Sequence, residues 1–115
     1  MVEIQASERR WSTRRTFIMA VTLYYQDLPI NQCKTRDIGP EGVFVEVDGT
    51  PFDLHDMVYV SLPAAVIGER HRRRIPAIVT HKRDKGLGLM FCSFDQRLFD
   101  SLETLIHSLP SSHAA

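Results

Sequence analysis

A chain of 115 residues has room for one domain and not for two. Its 43% hydrophobic and 24% charged residues exclude a disordered segment, and no apolar run approaches the ~20 residues of a membrane span. Fourteen basic and fourteen acidic residues cancel, so no global field draws the chain to nucleic acid or an anionic membrane.

Residues 1–15 read as an arm, polar at first and ending in the basic cluster Arg9-Arg10-Trp11-Ser12-Thr13-Arg14-Arg15. From Thr16 the pattern changes. Phe17, Met19, Val21, Leu23 and Tyr25 fall on alternate positions, as a strand with one buried face requires. Asp27-Leu28-Pro29 punctuates it, and Gln32 to Arg36 is expected to pair back as a second strand. Val43, Val45 and Val47 alternate with Phe44, Glu46 and Asp48 in a third, closed by the turn residues Asp48-Gly49-Thr50-Pro51. Met57 to Leu62 is β-branched and aromatic enough for a fourth strand. Ile75, Ala77 and Val79 share a face of a fifth, where Pro76 implies an edge or a bulge. Lys85-Gly86 then turns the chain into Leu87, Leu89 and Phe91, the sixth.

The period then switches. Leu98, Phe99, Leu102, Leu105, Ile106 and Leu109 follow the spacing of an amphipathic helix. Asp95 is its natural N-cap, and Phe94 with Phe99 is placed for a hydrophobic staple. Pro110 ends the helix and opens a tail over 110–115. Six short strands followed by one helix predict an all-β domain, a small antiparallel barrel or rolled sheet over 16–92, capped by a C-terminal helix over 95–109.

Little of this chain reads as an enzyme. It has no Gly-x-Ser-x-Gly elbow and no His-Glu-x-x-His, and its five histidines are scattered. Gly86-Leu87-Gly88 begins like a dinucleotide fingerprint, but Phe91 stands at the third glycine position and no helix follows directly. Cys33 and Cys92 lack CxxC spacing, which argues against a disulfide scaffold or a zinc knuckle. The start, MVEIQASERR, has acids where a secretory leader needs a basic end and an apolar stretch, so the expected compartment is the cytoplasm. Arg70-His71-Arg72-Arg73-Arg74 is the densest basic run. It reads as a hairpin tip kept soluble by charge, and without interleaved aromatic platforms it is a weak nucleic-acid site.

The informative constellation is Arg10-x-x-x-Arg14 together with Asp37-Ile38-Gly39-Pro40-Glu41-Gly42. A spacing of four brings two guanidinium groups to one side of the backbone, in a helical turn or an extended segment. Guanidinium matches phosphate bidentately, pairs with the O6/N7 edge of guanine and stacks on purine faces. Asp37 supplies an acceptor for the N1–H and N2–H₂ donors of guanine. Gly39 and Gly42 permit tight turns and close ligand approach. Such a set suits an anionic, guanine-bearing ligand. The plainer alternative is a solvated basic arm and an ordinary turn between strands.

The arrangement Glu8-Arg9-Arg10-x-x-x-Arg14, a strand, and then Asp-x-(Ser)-x-x-Gly resembles the PilZ domain, a bacterial receptor module for cyclic di-GMP. The resemblance spans about residues 8–107 and includes the Gly-Leu-Gly-Leu-Met-Phe strand at 86–91 and the helix after it. It implies a six-stranded antiparallel β-barrel that binds cyclic di-GMP at its rim without catalysis, cofactor or metal. The ligand residues it implies are Arg9, Arg10 and Arg14 on the arm and Asp37, Gly39 and Gly42 on the turn. Trp11 falls at a freely varying position and is expected to shield the barrel end. The family's serine is Gly39 here, which removes a hydroxyl. That departure leaves open a second expectation, an adaptor that binds no nucleotide and acts by protein–protein contact in pilus or motility machinery. Either way the signal passes to a partner protein, and an exposed face of the helix offers a route to a homodimer.

Overall fold

The computed structural model describes residues 14–64, 72–92 and 95–109. Seven strands occur among them in chain order: β1 (Arg15–Thr16), β2 (Ala20–Tyr25), β3 (Leu28–Gly39), β4 (Gly42–Glu46), β5 (Met57–Leu62), β6 (Arg73–Arg83) and β7 (Gly86–Phe91). One helix follows, α1 (Gln96–His107). All pairings are antiparallel, in the order β1-β3-β2-β5-β6-β7-β4, and β4 also pairs with β3. That last pairing closes the sheet. The result is a six-stranded antiparallel barrel of β2 to β7, with the two-residue β1 added to β3, and a C-terminal helix.

Alternation explains the interior. Val21, Leu23, Ile38, Val43, Val45, Val58, Val60, Ile75, Ala77, Val79, Leu87 and Leu89 face inward and are buried, while their chain neighbours face out. The helix completes this core by laying Leu98, Leu102 and Ile106 into it. Burying each such aliphatic side chain stabilises the fold by about 1.5–3 kcal/mol. Asp95 caps the helix, its Oδ1 accepting from the backbone N–H of Arg97 at 2.9 Å and of Leu98 at 3.4 Å. Its other oxygen accepts from Arg73 Nη2 at 2.5 Å, which ties the helix start to the start of β6. That hydrogen bond holds the Asp95 carboxyl below its ordinary pKa. Phe94, the proposed staple partner, lies outside the described residues, as do 1–13, 65–71, 93 and the tail from Pro110.

Several sequence expectations need correction. The first strand does not run unbroken from Thr16 to Tyr25, because 17–19 leave the ladder between β1 and β2. Tyr25 is 51% exposed: it ends β2 beside the turn, opposite Leu28, and the bulge at Leu23/Tyr24 places its extra residue, Ile30, on β3. The turn is Gln26-Asp27, with Gln26 at φ 55°, and Leu28-Pro29 already belong to β3. Strand β3 is accordingly far longer than Gln32–Arg36. It pairs with β2 through its first half and with β4 through its second. Pro76 pairs with Tyr59 of β5 alone, since the β7 ladder begins at Ala77, so the expected edge is a local one, and the β6 bulge falls at Val79/His81. Proline is tolerated there because its carbonyl accepts from the N–H of Cys92, one residue past the end of β7. The missing donor points the same way, to where the ladder has finished. Both cysteines are free thiols, and burial pushes the Cys33 thiol up to about 11.

Candidate functional site

One bulge, a short detour and one threonine bring the site together. Opposite β4, Thr35 pairs with Val45 and Asp37 with Phe44, which leaves Arg36 as an extra residue. Thr35 therefore faces the core at 1% exposure, Ile38 faces it again, and Arg36 and Asp37 both project from the outer surface. On the other side of β3 the segment 17–19 is stitched down by the same threonine. Its Oγ1 accepts from the Met19 N–H at 2.9 Å and donates to the Phe17 carbonyl, while its backbone N–H donates to the Met19 carbonyl at 2.9 Å. This detour carries the chain back into register, with Thr16 opposite Asp37 and Arg15 opposite Ile38. Arg14 is thereby delivered to the Asp37 side of the barrel.

There Arg14 Nε donates to Asp37 Oδ1 at 2.8 Å, and its Nη2 donates to the same oxygen. Both side chains are partly covered, at 33% and 22% exposure. The second carboxylate oxygen faces Arg36 Nε at 3.5 Å. One carboxylate thus stands between two guanidinium groups, and the cluster keeps a positive charge in excess.

The two motif glycines differ in what they do. Gly39 and Gly42 pair across the β3–β4 hairpin, on either side of Pro40-Glu41. Neither has a positive φ, so left-handed backbone is not the reason for glycine at these positions. A Cβ on Gly42 would stand 2.2 Å from the Leu89 carbonyl oxygen, a backbone atom of β7. Close strand approach is what requires glycine there. A Cβ on Gly39 would first meet the Arg14 side chain, its Cγ at 3.3 Å and Nη1 at 3.5 Å. Arg14 therefore fills the space that a serine side chain would take. Of the sequence-predicted residues, Arg14, Asp37 and Gly39 come together, Gly42 holds the hairpin against β7, and Arg9, Arg10 and Trp11 lie outside the described residues.

Sequence reasoning missed what adjoins them. Arg36 lies over the Phe44 ring, 4.0 Å from its centroid, and Arg83 approaches the same ring at 6.0 Å. Phe44 in turn lies on Gly86, where a Cβ would stand 2.3 Å from the ring. Beside them runs an outer groove of about 680 Å³. The available signal was Phe44 itself, an aromatic at an outward position of an alternating strand.

The rest of the sequence's candidate chemistry has structural employment. Gly86-Leu87-Gly88 is the start of β7. Arg73 and Arg74 are in β6, not at a hairpin tip. Arg72 donates to Ser61 Oγ at 2.9 Å, Arg73 holds Asp95, and Arg74 lies 4.1 Å over the Tyr24 ring and 3.3 Å from Asp27. Arg70 and His71 lie outside the described residues. Among the described residues no His/Cys/Asp/Glu group is arranged to hold a metal ion, and no helix is long and apolar enough to cross a membrane.

Comparison with known proteins agrees with this architecture. Among solved structures, the PilZ domain of CeSA from a cellulose-synthesizing bacterium superposes with a TM-score of 0.63 at 14% identity, over 83% of this chain and 95% of that one. An uncharacterized Legionella protein superposes with a TM-score of 0.52 at 15% identity, over the same shares. At such identities the likeness is one of fold. Among curated proteins no sequence relative is found. The PilZ domain family model matches residues 8–108, nearly the whole chain. The chain belongs to the PilZ domain family, a family of non-catalytic receptor and adaptor modules.

Proposed function

We propose that this domain is a cytoplasmic receptor for cyclic di-GMP, the typical ligand of its family, and that it signals to a partner protein. The observation that carries the reading is the Arg14–Asp37 pair packed against Gly39 at one spot on the outer barrel surface. The free protein holds the two halves of a guanine-nucleotide site against each other. A phosphate of the ligand competes for the Arg14 guanidinium, and a guanine edge offers N1–H and N2–H₂ donors to the Asp37 carboxylate so released. Partly exposed ion pairs are worth little, typically about 0–1 kcal/mol, so the exchange costs less than the new charge-assisted contacts return. Arg9 and Arg10, close in sequence to Arg14, add further guanidinium groups for a doubly anionic ligand. Freed from Asp37, Arg14 leaves its place against Gly39 and changes the surface beside the β3–β4 hairpin. That rearranged surface is what a partner reads.

One observation favours the second reading, an adaptor that binds no nucleotide. Gly39 lacks the family's serine hydroxyl, and Arg14 occupies its space. A lost neutral hydrogen bond costs about 0.5–1.5 kcal/mol, up to about tenfold in affinity. Weakening of that size leaves a site with its arginines and aspartate functional. Calorimetric titration with cyclic di-GMP tests the choice. Micromolar or tighter binding by the wild type, lost in Arg10→Ala/Arg14→Ala, supports the receptor. Absence of heat for the wild type at high ligand concentration establishes the adaptor instead. Gly39→Ser strengthens binding if this position faces the ligand.

A further inference from the structure

We propose that Arg36, laid flat on Phe44, is an additional ligand-contact residue that stacks against a purine base of the bound nucleotide. The inference rests on the receptor reading and extends its site along the outer groove.

The β3 bulge is the origin of the arrangement. An unbulged strand would point Arg36 and Asp37 to opposite faces, but here both project outward, with the Arg36 guanidinium beside the Asp37 carboxylate. Two contacts fix that guanidinium. Asp37 Oδ2 holds one edge at 3.5 Å, and the Phe44 ring lies beneath one face at 4.0 Å. The Arg36 side chain is nevertheless 49% exposed, which leaves it within reach of a ligand from solvent. A planar cation held flat and within such reach is a stacking platform for a base. Phe44 is only 9% exposed and rests on Gly86, where no side chain would fit beneath it. It acts as a positioning residue, the pedestal for Arg36, and does not itself meet the ligand.

The charges along the groove select a base over a phosphate. With Arg36 counted in the cluster around Asp37, the groove holds Arg83 and Lys85 against Glu46, Asp48 and Asp84, one negative charge in excess. A phosphate gains little from it. The positive excess lies instead around Asp37, between Arg14 and Arg36. An anionic nucleotide therefore lies with its phosphates toward Arg14 and a base in the groove. The groove's volume of about 680 Å³ falls in the range of small-ligand clefts.

Calorimetry with cyclic di-GMP on wild type, Arg36→Lys, Phe44→Leu, Phe44→Tyr and Arg14→Ala tests this. Arg36→Lys keeps the charge and loses the plane, and it changes a half-exposed side chain on the outer surface. Stacking predicts that Arg36→Lys and Phe44→Leu each weaken binding about tenfold, while Phe44→Tyr keeps it. The double variant Arg36→Lys/Phe44→Leu is no weaker than either single one, because the pair acts as a unit. If Arg14→Ala abolishes binding but Arg36→Lys binds like the wild type, the stacking inference is overturned and the receptor reading stands. If Arg36→Lys weakens binding and Arg14→Ala does not, the assignment of Arg14 is overturned and the stacking residue stands. Absence of binding by the wild type overturns both.

Discussion

The two glycines of the β3–β4 hairpin look alike in sequence, and the structure predicts opposite responses to the same added methyl group. At Gly42 the new Cβ would stand 2.2 Å from the Leu89 carbonyl oxygen and 3.2 Å from Leu89 C and Met90 Cα, where ordinary contact begins at 3.4 Å. Relief requires β4 and β7 to separate by roughly 1 Å, because the obstacle is backbone and has no rotamer to change. A separation of that size breaks ladder hydrogen bonds flanking the Gly42–Met90 and Val43–Leu89 pairs. One or two lost bonds at about 0.5–1.5 kcal/mol each, added to about 1–3 kcal/mol for overpacking, give a destabilisation of about 1.5–6 kcal/mol. For a domain of this size that lowers Tm by about 6–24 °C. At Gly39 the same methyl meets the Arg14 Cγ at 3.3 Å, part of a flexible side chain that moves aside. Gly39→Ala is expected to stay within about 0.5 kcal/mol of the wild type, helped by the reduced entropy of its unfolded chain. Thermal and urea denaturation followed by circular dichroism measure both. Equal Tm values for the two variants, or a Gly42→Ala protein as stable as the wild type, would refute the close-approach account of this hairpin.

Two other residues give direct tests. Thr35→Val keeps the buried volume but strands the Met19 N–H and the Phe17 carbonyl, so the barrel loses about 1–3 kcal/mol; an unchanged urea midpoint would mean that the stitch to β3 contributes nothing. Asp95 has its carboxyl pKa lowered, first by the hydrogen bond from Arg73. A lowered folded pKa gives stability that is present above the unfolded value and lost as pH falls through the folded one. Asp95→Asn keeps the cap and loses the charge. It is therefore less stable than the wild type at neutral pH, and the gap closes as pH drops below about 4. A gap that is constant across that range would separate the Arg73 contact from helix stability.

The barrel was legible where alternation was clean. Val43, Val45 and Val47, Met57 to Leu62, and the strand from Leu87 declare themselves because inward positions there are aliphatic and the ladder has one register. The helix was equally plain, since Leu98, Leu102 and Ile106 recur at helical spacing behind a capping aspartate. What escaped is everything that depends on a change of parity. Bulges at Leu23/Tyr24, Thr35/Asp37 and Val79/His81 each move a side chain to the opposite face without any turn residue to mark it. The first half of β3 was hidden for another reason: Leu28, Pro29, Ile30, Gln32 and Lys34 are all exposed, so no apolar period exists to detect. The same physics divided the site. Arg14, Asp37 and the glycines stand in a recognisable linear pattern, whereas Arg36 and Phe44 become neighbours only because a bulge turns Arg36 outward.

Closure of the sheet has a bearing on how a second protein could read this one. Where a strand is paired on both sides, as β4 is along its length, it offers no rim on which a visiting segment could add itself by backbone pairing. Recognition there falls to side chains on the outside of the staves. There Met57, Ile78 and Met90 stand in one row across β5, β6 and β7, two of them about half exposed. Met90 is also paired with Gly42 at the foot of the arginine–aspartate hairpin. A visitor resting on that row would feel any adjustment of the hairpin at first hand, through a single rung of the ladder.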